Sequence, residues 1–153
     1  MDQYFLEKRL NLALIILDID HFKNINDQFG HLQGDLVLRS VAQMIQDTAG
    51  AAANVCRWGG EEFAVLIPDC ADCLAVAAAL CERLRTYEIP VENGCVNVTA
   101  SIGANIIRNT ASGSALQLVA LADACLYRAK QCGRNRVEFE ELHPASQPDS
   151  TLD

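Results

Sequence analysis

The sequence predicts a single α+β domain in which a central, mostly antiparallel sheet is packed around by helices. Three observations carry this reading. Leu12 to Leu17 is an unbroken apolar run of strand length, which suits a strand covered on both faces. A helical stretch separates it from a second apolar run, Ala53 to Cys56 with Asn54 inside, and such a crossover makes the two long strands parallel and right-handed. The second run is joined to a third, Phe63 to Ile67, through Gly59-Gly60, residues suited to the positive φ of a tight hairpin turn. If the third strand lies between the first two, it is antiparallel to both. The chain has 153 residues, enough for one core.

Bulk properties exclude several function classes. Twenty acidic against twelve basic residues give a net charge of −8, which disfavours coating nucleic acid. No apolar run approaches the ~20 residues of a membrane-spanning helix and no signal peptide is visible, so a cytoplasmic domain without direct membrane contact is expected. Seven cysteines are present. Cys70-Ala-Asp-Cys73 has CxxC spacing, but no second CxxC or His pair completes a zinc site, so most of these thiols read as core residues.

In chain order, Met1 to Arg9 reads as the end of a helix and the start is abrupt, implying an upstream piece. The first strand ends in Asp18-Ile19-Asp20. Asp20 fits a helix N-cap; Asp18 stands two residues too early for that role, and a carboxylate closing a buried strand needs a partner or a cation. A calcium loop fails, because Phe22 stands at the third ligand position and Lys23 at the glycine position. His21 to Phe29 predicts a short helix with Phe22, Ile25 and Phe29 on one face. Gly30 to Gly34 breaks it, and Asp35 is expected to cap a second helix whose Val37, Val41, Met44 and Ile45 face the core.

After the hairpin, Asp69 is expected to cap an alanine-rich helix, Cys73 to Thr86. Asn93-Gly94 marks a turn that pairs Glu88 to Glu92 with the next strand, and Val96 to Ala104 alternates as a half-buried strand. Ser114 to Gln131 is the last helix, ended by Gly133, and Val137 to Phe139 a last edge strand. The ordered domain spans 1–142, and 143–153 is expected to be a disordered tail.

This layout brings Asp18 and the acid after the twin glycines, Glu61, to one sheet edge. Two carboxylates there repel unless a cation lies between them, and hard oxygen donors favour Mg²⁺ or Mn²⁺. Lys23, Lys130 and Arg134 supply positive charge for phosphates, while the absence of GxxxxGK[ST] excludes a P-loop NTPase. The residues alone therefore point to a metal-dependent, nucleotide-handling, palm-like fold.

The stretches LALIILDIDHFKNINDQFGHLQGD, RWGGEEFAVLIP, VTASIGA and ADACLYRAKQCGRNRV, in this order, resemble the GGDEF domain, the catalytic module of bacterial diguanylate cyclases. The resemblance runs from about Phe5 to Val137. It implies a ferredoxin-like, palm-type nucleotidyl cyclase fold and the condensation of two GTP into cyclic di-GMP with release of two pyrophosphates. Each protomer of a two-fold homodimer would hold one GTP, and an upstream sensory or dimerisation domain would supply the input.

The resemblance further implies that Asp18, Glu61 and the Ile19 carbonyl hold Mg²⁺ (or Mn²⁺), with Glu61 also the general base for the 3′-hydroxyl. Asn26 and Asp35 match guanine readers, and His31 a further substrate position. Lys23, Lys130 and Arg134 match phosphate contacts, with the backbone at Phe22 assisting. Gly59, Gly60 and Glu62 take supporting roles, while Phe63, Val65 and Ile67 read as core and Trp58 as hairpin packing. Two departures stand out. The family's opening DxLTxLxNR turn is missing before Met1, and the inhibitory RxxD pair is replaced by Gly50-Ala51-Ala52-Ala53. The competing expectation is a GTP-binding regulatory module that makes no product.

Overall fold

A computed structural model describes residues 11–108 and 114–142; the expected N-terminal helix end and the C-terminal tail lie outside them. Strand β1 (Leu12–Ile19) leads into helices α1 (Phe22–Phe29) and α2 (His31–Ala49). Hairpin β2 (Asn54–Gly59) and β3 (Glu62–Pro68) follows, then α3 (Cys73–Thr86). A small ribbon of β4 (Ile89–Val91) and β5 (Gly94–Val96) precedes β6 (Ala100–Ile107), α4 (Ala115–Gln131) and β7 (Arg136–Leu142). Among the described residues no helix is long and apolar enough to cross a membrane. The main sheet has the order β2-β3-β1-β6-β7. Among the described residues only β6 and β7 pair in parallel; β1 is antiparallel to both its neighbours, and β2 is antiparallel to β3. Strands β1 and β2 therefore run the same way with β3 between them, the arrangement that the crossover and the hairpin together require.

Strand alternation sorts the sheet into two faces. Ala13, Ile15, Leu17 and Ile19 pack with α1, α2 and α3 in the larger core, whereas Leu12, Leu14 and Ile16 pack with Leu118, Ala122 and Leu126 of α4. The expected core residues Phe63, Val65 and Ile67 are buried on the larger side. Helix α4 lies so close to β6 that a Cβ at Gly103 would stand 2.3 Å from the Ala122 carbonyl oxygen. Burial also accounts for four of the seven thiols, Cys70, Cys73, Cys81 and Cys125; Cys56, Cys95 and Cys132 are exposed.

Several boundaries differ from expectation, each for a local reason. Asp20 does not cap α1: His21 does so in a left-handed conformation with no side-chain bond, because the Asp20 carboxylate is drawn inward to other partners. Helix α2 starts at His31 with Gly30 as its cap, so Asp35 lies in the second turn rather than at the start. Asp72, not Asp69, caps α3 by accepting from the Ala75 N–H at 3.0 Å. The stretch read as one half-buried strand over 96–104 divides, with β5 ending at Val96 and β6 starting at Ala100 and buried throughout. Sandwiching between β1 and β7 with helices on both faces removes the exposed side that alternation implied. Helix α4 carries a reciprocal cap in which Ser114 and Gln117 exchange side-chain and backbone bonds.

Candidate active site

The C-terminal end of β1 and the β2–β3 turn meet at one edge of the sheet. Asp18 is directly opposite Glu62, and the Ile19 N–H donates to the Glu61 carbonyl at 3.3 Å. The turn residues are thus Gly60 and Glu61, one position later than a Gly-Gly turn, with Gly59 still in β2. Arg57 donates from Nε to the Gly60 carbonyl at 2.7 Å and braces this turn.

That one-residue shift in register decides which acids face each other. Asp18 and Glu62 project on the α4 side of the sheet, the face marked by Ile16 and Ala64, each two positions along its strand. Glu61 instead lines a cleft on the α1–α2 side. Asp18 and Glu61 therefore come to one sheet edge, as expected, but not as cross-strand partners. The cross-strand pair is Asp18 with Glu62, and Glu61 reaches this edge through the backbone bond to Ile19.

The acidic edge carries one close cation. Lys130, in the last turn of α4, holds its ammonium 2.6 Å from the Asp18 carboxylate. Burial above all, and then the Asp18 charge, push the Glu62 carboxyl above the usual carboxylate range; Lys130 pulls the other way, while Asp123 and Glu61 add to the rise. Negative charge therefore exceeds what Lys130 offsets. Among the described residues no three His, Cys, Asp or Glu side chains form a ready metal cluster. A cation here would rest on few carboxylates and take its remaining donors from backbone, water or phosphate, as suits Mg²⁺. The donor chemistry fits such an ion: hard oxygens at one edge, with a raised Glu62 that a nearby positive charge would lower again.

The cleft beside this edge has a volume of about 480 Å³. Phe22, Lys23, Asn26, His31, Asp35, Gly60 and Glu61 all line it, together with Arg57, so helix α1, helix α2 and the hairpin turn converge there. Asn26 is seated by a close approach of the two helices. A Cβ at Gly34 would stand 1.8 Å from Asn26 Oδ1, so only glycine leaves room for this amide. Asn26 Oδ1 is buried without a hydrogen-bond partner among the described residues, an acceptor left for a donor from elsewhere. Arg134 lies on the turn after α4, with its guanidinium 3.9 Å from Asp20. Sequence reasoning did not find Arg57, Gly34 or the partners of Asp20; the polar Thr99 and Ser101 at the head of an apolar strand were the available signal for the last.

A family profile described as "Diguanylate cyclase, GGDEF domain" matches residues 2–136. The chain belongs to the GGDEF family. Among relatives of this GGDEF chain, diguanylate cyclase A of Treponema denticola is 42% identical over an alignment of 139 residues that covers 88% of this chain and 37% of that protein. An uncharacterised Bacillus subtilis protein, YhcK, is 46% identical over 84% of this chain and 36% of its own length. The chain thus spans little more than a third of the length of these two relatives.

Solved structures agree on the fold. The active GGEEF domain of a diguanylate cyclase from Vibrio cholerae superposes with a TM-score of 0.79 at 29% identity, covering 90% of this chain and 87% of that one. The GGDEF domain of DgcB from Caulobacter crescentus, in complex with c-di-GMP, gives 0.76 at 34% identity, covering 89% and 81%.

Proposed function

We propose that this GGDEF domain is a diguanylate cyclase that condenses two GTP into cyclic di-GMP and two pyrophosphates. The observation that carries the reading is the junction at Glu61: one turn residue joins the acidic edge of Asp18 and Glu62 to the cleft of Lys23, Asn26 and Asp35. The base would sit in that cleft. Asn26 offers its unpaired amide oxygen to a guanine N–H, and the Asp35 carboxylate accepts a second. His31 borders the same space, and the backbone at Phe22 with the Lys23 ammonium holds phosphate oxygens at its mouth. Lys130 and Arg134 take the distal phosphates from the α4 side.

Asp18, Glu61 and the Ile19 carbonyl would hold Mg²⁺, with Glu62 beside them. When bound, the ion stabilises charge on the α-phosphate and makes the 3′-hydroxyl more acidic. Glu61 accepts the proton of the attacking 3′-hydroxyl. The new 3′-oxygen–phosphorus bond forms as the α-phosphorus–oxygen bond to pyrophosphate breaks. Positioning and charge stabilisation supply the rate. One protomer offers one such cleft, so the second GTP comes from a second copy related by two-fold symmetry. In this reading the domain works in the cytoplasm, where GTP is available, and an upstream sensory or dimerising unit brings the two copies together.

The test is incubation of the dimerised domain with GTP and Mg²⁺, with nucleotide products separated by chromatography. Cyclic di-GMP and pyrophosphate in a 1:2 ratio, lost when a chelator removes the metal, are expected. GTP binding without any product would instead favour the regulatory module.

A further inference from the structure

Asp20 is the only buried charged residue among the described residues, its side chain 1% exposed. Burying a carboxylate is costly unless its oxygens are satisfied. Here they are satisfied by groups from separate parts of the chain. Oδ2 accepts from Thr99 Oγ1 at 2.7 Å and from the Asn135 N–H at 2.9 Å, and Oδ1 accepts from Ser101 Oγ at 2.7 Å. The Asp20 N–H in turn donates to the Thr99 carbonyl at 2.9 Å. The carboxylate thus ties the end of β1 to the approach of β6 and to the turn between α4 and β7.

That turn is strained. Arg134 and Asn135 both have left-handed backbones, with φ of 65° and 47°. Asparagine tolerates such a conformation, but an arginine holds it at a cost that its surroundings must offset. The surroundings are Asp20 on the Asn135 N–H, the Ala129 carbonyl accepting from the Arg134 N–H at 2.9 Å, and Arg85 Nε donating to Asn135 Oδ1 at 3.1 Å. The Arg134 guanidinium is 3.9 Å from the same carboxylate, at the sheet end where Lys130 meets Asp18.

We propose that Asp20 is a positioning residue, which locks the α4–β7 turn in its left-handed form and so presents Arg134 to the distal phosphates of the nucleotide. The proposal rests on the GTP reading and goes beyond it by assigning a role to a residue outside the nucleotide cleft's polar lining. Asp20 acts through Arg134, so its effect depends on the phosphates and not on the base.

The experiment compares GTP with GMP binding, by calorimetry with Mg²⁺, for wild type, Asp20→Ala, Arg134→Ala and the double variant. Asp20→Ala is expected to weaken GTP by a factor of roughly ten, the scale of a hydrogen bond to a charged group, and to leave GMP unchanged. In the Arg134→Ala background the Asp20 change should cost nothing further, because the group it positions is gone. Equal losses for GTP and GMP, or full additivity with Arg134→Ala, overturn the proposal, as does wild-type GTP affinity in folded Asp20→Ala. If Asp20→Ala does not fold, Asp20→Asn keeps the volume and removes the charge. A smaller loss confined to GTP supports the proposal, and none overturns it. A wild-type protein that binds neither nucleotide overturns the GTP reading and this proposal together, whereas binding insensitive to Asp20 overturns this proposal alone.

Discussion

Replacing Gly34 by alanine separates the cost of folding from the cost of binding. The new Cβ would stand 1.8 Å from Asn26 Oδ1 and 3.0 Å from Asn26 Cγ, against an ordinary contact of about 3.5 Å or more. Phe22 Cζ, at 3.3 Å, needs only a slight adjustment. The strongest clash is with the far end of a side chain, and that end is a buried acceptor with no partner among the described residues, so turning it outward forfeits no hydrogen bond to them. Alanine also stabilises a helix interior relative to glycine by about 0.8–1.0 kcal/mol. Stability should therefore change little, or rise by up to about 1 kcal/mol.

Binding should suffer, because Asn26 leaves its place in the cleft. The one hydrogen bond that Asn26 makes to the base comes to about 0.5–1.5 kcal/mol. GTP affinity should then fall roughly 2- to 13-fold, and preference over ATP should shrink with it. Calorimetric titration with each nucleotide, beside a thermal melt, reads both quantities. A Gly34→Ala protein that melts like wild type and binds GTP as tightly would refute the seating of Asn26 as the reason for the glycine.

Further outcomes rest on the same geometry. Glu61→Gln should abolish cyclic di-GMP formation while leaving the melting temperature near that of wild type; retained turnover, measured by product chromatography, would remove Glu61 from its role as base. Glu62 is held above the usual carboxylate range, so its protonated form is favoured in the folded chain. That stabilisation is fully present below the ordinary glutamate value and is lost as pH rises through the raised one. Metal-free Glu62→Gln should accordingly melt above wild type near neutral pH and lose the margin on acidification, and melts between about pH 4 and pH 8 check this. Gly103→Ala drives a methyl against the α4 backbone, 2.3 Å from the Ala122 oxygen, and should destabilise by about 1–3 kcal/mol in urea titration; an unchanged midpoint would show that α4 can move away.

The parts of the site legible in the sequence are those set by local pattern. The apolar run ending in Asp18, the glycines before Glu61 and Glu62, and the Phe22, Ile25, Phe29 spacing each follow from the period of a strand, a turn or a helix. Where a residue's place depends on distant partners, local pattern misleads. Asp20 looks like a helix cap because its neighbours in sequence are a helix, yet its oxygens are claimed by Thr99, Ser101 and Asn135. Asp35 looks like a cap because glycines precede it, yet α2 already begins at His31.

By itself the chain determined the α+β class, the crossover that makes β1 and β2 run the same way, and the set of acids, amides and bases that can serve a nucleotide. Tertiary structure alone decided that Asp18 faces Glu62 while Glu61 turns to the cleft, since a one-residue difference in strand register exchanges the two faces of a sheet and no single segment encodes it. It also decided the position of Arg134, in a left-handed turn after α4 where a buried carboxylate, more than a hundred residues earlier, accepts from the Asn135 N–H.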